Sequence, residues 1–249
     1  MSDHDAIGLE FKRVLRRLKL SPLLETLPER LALAKQRKLT HAQFLEIVLS
    51  AEAERRERIS AESRAEKGKL DKSMSLDAWD ETARVTYDRA LWERLCTLAF
   101  LEHHHHVLIL GPVGVGKTFL ASALGHIACR RGHTVQFWRA DKMLKHLKAS
   151  RLDNSHDKEL RKLIAVDLLI VDDFALDAMD HHESRDVYEL IVERQRAGSM
   201  IVTSNREPAE WLAMLADPLR AQTAVDRLKN AAYELVVDGE SYRPRQKPK

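Results

Sequence analysis

Cysteine is scarce in this chain. Only Cys96 and Cys129 occur in 249 residues, with no CxxC pair. That leaves no disulfide framework and no zinc-ligand pattern, and it points to a reducing compartment. Long apolar runs are missing too. None approaches the roughly 20 residues needed to span a bilayer, so no membrane partner is expected. The opening MSDHDAIGLEFKRVLRRLKL has no apolar h-region and is not expected to act as a secretory signal. The expected location is cytoplasmic. Internal repeats are absent, and the basic tail at 243–249 is the sole low-complexity segment. Net charge is only +3, which by itself names no partner. Its distribution says more. Residues 11–72 hold sixteen Lys and Arg against nine Asp and Glu, an excess of +7, so the remainder carries −4. A one-sided excess of this kind often marks a nucleic-acid surface.

The run GPVGVGKT matches the phosphate-loop pattern G-x-x-x-x-G-K-S/T at Gly111, Gly116, Lys117 and Thr118. It follows the apolar run 107–110 and opens a helical pattern, which is the strand–loop–helix setting such a loop requires. Glycines let backbone N–H groups approach a polyphosphate closely, and the helix N-terminus adds partial positive charge. The expected cradle comprises Gly111, Pro112, Val113, Gly114, Val115, Gly116, Lys117, Thr118 and Phe119. Lys117 would reach the β- and γ-phosphates of ATP, and Thr118 would place its hydroxyl on Mg²⁺.

Downstream, the apolar run 168–171 ends in Asp172 and Asp173. Carboxylates at the end of a central strand lie beside the phosphate loop in open α/β sheets. Asp172 is therefore the expected metal ligand, and Asp173 the group that orients or deprotonates the attacking water. A third strand, 200–203, leads to Asn205, whose side chain would touch the γ-phosphate or that water. Ser204 and Asn205 are also common turn formers. Strands at 107–110, 134–138, 168–171, 200–203 and 234–237 alternate with helical patterns. The expected fold is an α/β P-loop NTPase with a parallel five-stranded sheet between helices. Residues 76–102 read as helical and lead into it.

A small all-helical domain is expected over 1–73, with the ATPase domain at 74–249. Phe11, Val14, Leu15 and Leu18 share one helical face. Ser21 and Pro22 break that helix, and Thr40 with Gln43 forms a capping box for a long third one. Candidate DNA contacts are Arg13, Arg16, Arg17, Arg55, Arg56, Arg58, Arg64 and Lys67. Glu52, Glu54, Glu57, Glu62 and Glu66 are interleaved, so a solvated, self-paired helix explains this stretch equally well. The four histidines at 103–106 suggest metal binding, but a strand would point alternate rings to opposite faces.

Together these motifs resemble the IstB-like ATP-binding proteins, the AAA+ helper ATPases encoded beside the transposases of bacterial insertion sequences. The resemblance covers most of the chain. It rests on GPVGVGKT, LLIVDDF at 168–174, IVTSNR at 201–206, DPLRAQTAVDRL at 217–228 and GESYR at 239–243. It implies an ATPase that uses ATP and Mg²⁺, binds double-stranded DNA without strong sequence preference, forms a homo-oligomer when ATP is bound, and assists a transposase of the same element. It also implies that Arg227 is an arginine finger acting on a neighbouring subunit, with Arg220 as a nearby alternative, and that Arg243 contacts bound nucleotide. DnaC-type helicase loaders share this organisation and are the alternative function. Two departures stand out. Asp173 replaces the more usual Glu, which implies slow hydrolysis, and the helical lid is expected to be reduced. A GTPase reading lacks an N-K-x-D motif, and a small-molecule kinase reading lacks a lid arginine cluster.

Overall fold

The computed structural model describes residues 8–80, 82 and 84–242. Arg243 lies outside the described residues. The chain divides into two compact units, 1–60 and 61–249. Residues 61–73, expected with the first domain, belong to the second unit because Ala65 and Leu70 pack into its core.

The first unit is helical. It contains α1 (Leu9–Arg17), α2 (Leu23–Arg37) and most of α3 (His41–Lys67). Pro22 stands at the N-cap of α2. The Thr40–Gln43 box is formed, with Thr40 N–H donating to Gln43 Oε1 at 2.9 Å and Gln43 N–H to Thr40 Oγ1 at 3.3 Å. Leu15, Leu23, Leu27 and Val48 make a small core.

The second unit continues with β1 (Val85–Thr86), α4 (Arg89–Cys96), α5 (Ala99–Glu102), β2 (His106–Leu110), α6 (Lys117–Arg130), β3 (Val135–Arg139), α7 (Ala140–Ser150), α8 (His156–Ala165) and β4 (Leu168–Asp172). Then follow α9 (His181–Ala197), β5 (Ser199–Ser204), α10 (Pro208–Trp211), α11 (Pro218–Asn230), β6 (Ala232–Val236) and β7 (Asp238–Gly239). The main sheet is parallel, in the order β3-β4-β5-β2-β6. Side chains alternate along each strand. Val107, Ile109, Leu168, Ile170 and Ile201 join a core with α4, α5 and α6. Leu108, Leu110, Leu169, Val171 and Val202 join another with α7, α8, α9 and α11. Burial on both faces explains why β2, β4 and β5 read as unbroken apolar runs.

The segment 76–102 is not one helix. A short turn at Leu76–Ala78 ends at an extended Trp79, and β1 pairs antiparallel with β7. Asp88 then caps α4 by accepting from Leu91 N–H at 3.0 Å. The physical reason is aromatic. Trp79 packs on Phe119 at 5.2 Å between ring centroids, and Tyr87 meets Trp92 at 6.0 Å, so both side chains are taken up by contacts distant in sequence or on the next helix rather than by a helix of their own.

His106 shows what the fold does with the histidine run. It opens β2 with no exposed surface, and its Nδ1 accepts from Met200 N–H at 3.1 Å. No cluster of three or more His, Cys, Asp or Glu side chains placed to hold a metal ion, at the histidine run or elsewhere, occurs among the described residues. Burial first, and the nearby Arg194 charge second, lower the His106 pKa to about 4. The folded protein thus favours the neutral ring, so stability present above pH 6.5 is lost as pH falls toward 4. The loss is roughly 3 kcal/mol at about 1.36 kcal/mol per pKa unit. His106→Asn, which keeps an acceptor for Met200, should flatten this limb in urea unfolding compared at pH 7 and pH 4.5. An acid loss of equal size in both proteins would refute the assignment.

Candidate functional site

The phosphate loop leaves β2 and turns into α6. Gly111, Gly114 and Gly116 have φ of 146°, 89° and 96°, a region that disfavours other residues. Two of them also admit close neighbours. A Cβ on Gly111 would lie 1.9 Å from Val237 O, and one on Gly114 would lie 2.1 Å from Ser241 Oγ. The chain after β6 therefore rests on the loop, with Val237 N–H donating to Leu110 O at 2.7 Å and Tyr242 N–H to Gly114 O at 2.9 Å.

Lys117 is buried, and its Nζ donates to Gly111 O at 2.8 Å and Pro112 O at 2.7 Å. Thr118 Oγ1 donates to Asp172 Oδ1 at 2.9 Å. Thr203 Oγ1 donates to the same oxygen at 2.6 Å and accepts from Asp173 N–H at 3.0 Å. Asp172 is 3% exposed. Burial raises its pKa, opposed by the Thr203 hydrogen bond, with the Asp173 charge raising it further. Asp173 is exposed and sits in left-handed backbone at φ 54°, so its side chain leaves the strand direction.

Above the loop opens a cavity of about 710 Å³. Val113, Gly114, Val115, Gly116, Lys117, Thr118 and Phe119 line it, together with Asp173 and Asn205. The cavity thus brings Asp173 and Asn205 together with the loop residues from Val113 to Phe119, while Gly111, Pro112 and Asp172 are not among its lining residues. The cavity also includes residues the motifs did not reveal, among them Met74, Trp79, Val85 and Arg139, and Tyr242 of the GESYR segment lines it too. Trp79 falls in the stretch 76–102 that reads as helical, and Thr203 ends the strand expected at 200–203 with no role of its own. The IVTSNR segment held the one signal available, a hydroxyl at the end of an apolar strand.

Arg220 and Arg227 are exposed on α11 and do not line the cavity. Arg220 Nε pairs with Asp217 at 3.4 Å, and Arg227 Nη1 donates to Gln195 Oε1 at 3.3 Å. Of the basic candidates, Arg55 and Arg56 fold onto buried Glu52 at 2.7 and 2.8 Å. Their guanidinium groups, Arg55 foremost, hold the Glu52 pKa at about 2. Arg64 Nε donates to Cys129 O at 2.9 Å. Arg13, Arg16, Arg17, Arg58 and Lys67 are exposed.

A glycine-rich loop between β2 and α6, paired carboxylates ending β4 and the order β3-β4-β5-β2-β6 define a P-loop ATPase of the AAA+ class. The family profile of the IstB-like ATP binding protein matches residues 13–249, and the chain belongs to that family. A putative ATP-binding protein in an insertion sequence of Mycobacterium tuberculosis is 37% identical over 238 residues, covering 95% of each chain. The insertion sequence IS21 putative ATP-binding protein of Pseudomonas aeruginosa is 33% identical over 240 residues, or 96% of this chain and 91% of that one. Among solved structures, DnaI superposes with a TM-score of 0.58 at 20% identity, over 66% of this chain and 90% of that one. The DnaC helicase loader gives 0.53 at 19% identity, over 60% and 87%. These two likenesses concern the fold. No helix among the described residues is long and apolar enough to cross a membrane.

Thr203→Val keeps the shape of the β5 end but removes the donor to Asp172 and the acceptor for Asp173 N–H. Leaving such buried groups unpaired costs about 1–3 kcal/mol. Urea unfolding should show a loss of that size, and an unchanged midpoint would mean that the Thr203 bridge is not formed.

Proposed function

We propose that this protein binds and hydrolyses ATP as a homo-oligomer on double-stranded DNA, and in that state assists a transposase encoded by the same element. The observation that carries the nucleotide part is the Thr118–Asp172–Thr203 hydrogen-bond chain, which starts from Thr118 beside Lys117 in the lining of the cavity. The insertion-sequence names of the relatives support the transposition part and favour it over helicase loading.

In this reading the loop amides and Lys117 hold the phosphates, and Lys117 exchanges the carbonyls of Gly111 and Pro112 for phosphate oxygens. An all-oxygen pair, the Thr118 hydroxyl and the Asp172 carboxylate, suits Mg²⁺ better than softer metals. Once bound there, Mg²⁺ would neutralise charge on the β- and γ-phosphates. Asp173 orients the attacking water or takes its proton, and Asn205 lies across the cavity to contact the same water or the γ-phosphate. The flat face of Trp79, beside Phe119, Met74 and Val85, suits a stacked nucleobase. Arg227, outside its own cavity, fits a role toward a neighbouring subunit, with Arg220 as the alternative on the same helix. Arg13, Arg16, Arg17 and Arg58 are the exposed cations of the first unit proposed to meet DNA phosphates, in the cytoplasm.

Lys117→Ala should weaken ATP binding at least tenfold, since charge-assisted phosphate contacts are worth about 1.5–3 kcal/mol. Unchanged affinity for a labelled ATP analogue would overturn the phosphate-loop reading. Asp173→Asn should bind ATP and turn it over slowly, because Asp172 remains.

Arg227→Ala should bind ATP and hydrolyse it about 10³–10⁵-fold more slowly if the residue acts as a finger. Mixing the Arg227→Ala and Asp173→Asn proteins should restore part of the activity, because some interfaces then pair an intact Asp173 with a neighbour's intact Arg227. No recovery on mixing, together with specific activity independent of protein concentration, would mean that each subunit works alone.

Alanine at Arg13, Arg16 and Arg17 should lower duplex affinity and flatten its salt dependence, by about one unit of log–log slope per lost phosphate contact. An unaltered slope would remove α1 from the DNA interface.

A further inference from the structure

Two cations line the nucleotide cavity among the described residues, Lys117 and Arg139. Lys117 belongs to the phosphate loop, whereas Arg139 ends β3 and no motif marks it. In the sheet register Arg139 stands beside Asp172, on a neighbouring strand about 4.8 Å away. Its charge acts on that carboxylate, lowering a pKa that burial raises. The position matters because of the local charge balance. In the phosphate-loop reading the loop amides hold the phosphate chain and Lys117 reaches its β- and γ-phosphates. The outermost phosphate of a triphosphate extends toward the ends of β4 and β5, where Asp172 and Asp173 present negative charge. Besides Lys117, Arg139 is the cation that lines the cavity on that side among the described residues, and it can offset that negative charge.

Arg139 also lines an adjoining cleft of about 230 Å³ with Asp141, Asp173 and Asp177. Its Nε pairs with Asp141 Oδ1 at 3.4 Å, and its side chain is 52% exposed. That pair is long and solvated, so exchanging it is cheap. Asp141 also lies 4.0 Å from Lys145 Nζ, so it keeps a cationic neighbour if Arg139 turns away. The side chain thus stands on the partition between the two clefts, with an anion on one side and the phosphate site on the other.

We infer that Arg139 is a phosphate-binding residue acting within its own subunit, whose guanidinium leaves Asp141 to contact the terminal phosphate of bound ATP. This rests on the phosphate-loop reading above. A planar guanidinium suits two oxygens of one phosphate, and ADP offers no such group at that position. Arg139 therefore gives the site its preference for the triphosphate, and Asp141 competes with the nucleotide for it.

The test is equilibrium titration with Mg²⁺, comparing ADP with the β,γ-methylene analogue of ATP, so that hydrolysis does not intrude. Arg139→Ala should bind the analogue at least tenfold more weakly and ADP as before, the unchanged ADP affinity also showing that the variant is folded. Arg139→Lys should fall between. Asp141→Asn should tighten the analogue and leave ADP unchanged, a gain that a merely structural role for the pair would not produce. If Arg139→Ala lowers both affinities equally or neither, or if Asp141→Asn weakens the analogue, the inference is wrong. A wild-type protein that binds neither nucleotide would overturn the phosphate-loop reading and this inference with it.

Discussion

The carboxylate of Asp172 is the constraint around which the second unit is arranged. It ends a strand whose five residues are all buried, and a buried carboxylate is costly unless hydrogen-bonded. Its two donors come from elsewhere. Thr203 is on β5, and Thr118 follows the loop that leaves β2. In the order β3-β4-β5-β2-β6 these strands are consecutive neighbours, with β5 between the carboxylate and the loop. Chain order and spatial order part company here. After β2 the chain crosses to β3 at the far edge, and β4 and β5 fill the gap. A crevice at the carboxyl ends of the strands results, at the point where open parallel sheets bind ligands. The depth of the Asp172 site and the place of the cavity follow from one topological fact.

The loop's shape depends on more than its own glycines. Val237 N–H and Tyr242 N–H close onto Leu110 O and Gly114 O, so the chain after β6 braces the loop from outside. Contacts of 1.9 and 2.1 Å to a hypothetical Cβ at Gly111 and Gly114 show that these positions serve backbone approach by the protein itself as well as by a ligand. The other side is braced by Trp79, whose ring lies within 3.1 Å of where a Cβ on Gly116 would be. A phosphate loop held on two flanks loses less conformational freedom when it binds, which favours affinity.

Much of this was legible in the order of residues, for identifiable reasons. Strands buried on both faces must be apolar throughout, so β2, β4 and β5 declared themselves, and the loop and the paired aspartates followed as their C-terminal extensions. What periodicity missed depends on long-range contact. Residues 76–102 hold enough apolar side chains to look helical, but Trp79 and Tyr87 are held by Phe119 and Trp92 rather than by a helical face. Arg139 is an ordinary strand-end arginine until the sheet register sets it beside Asp172. Thr203 is one β-branched residue among several until β4 and β5 are paired.

Charge illustrates the same limit from the other direction. A count along residues 11–72 treats every arginine alike, whereas the fold sorts them. Glu52 is 4% exposed and takes both Arg55 and Arg56. Arg56 also donates to Lys19 O at 2.9 Å, which ties α3 to the end of α1 within the first unit. Breaking a buried carboxylate's pairs is expensive, so these two arginines are poorly placed to exchange Glu52 for a DNA phosphate. Among the described residues the cations of α1 have no comparable anchor, since the ion pair there, Arg13 with Glu10 at 3.4 Å, is largely solvated. In the proposed contact with DNA, α1 and Arg58 are therefore better placed than Arg55 and Arg56, of which Arg56 also holds α3 to the chain that follows α1. Arg56 thus serves to fix the chain that follows α1, which leaves the exposed arginines of α1 as the part of this surface proposed to meet phosphate.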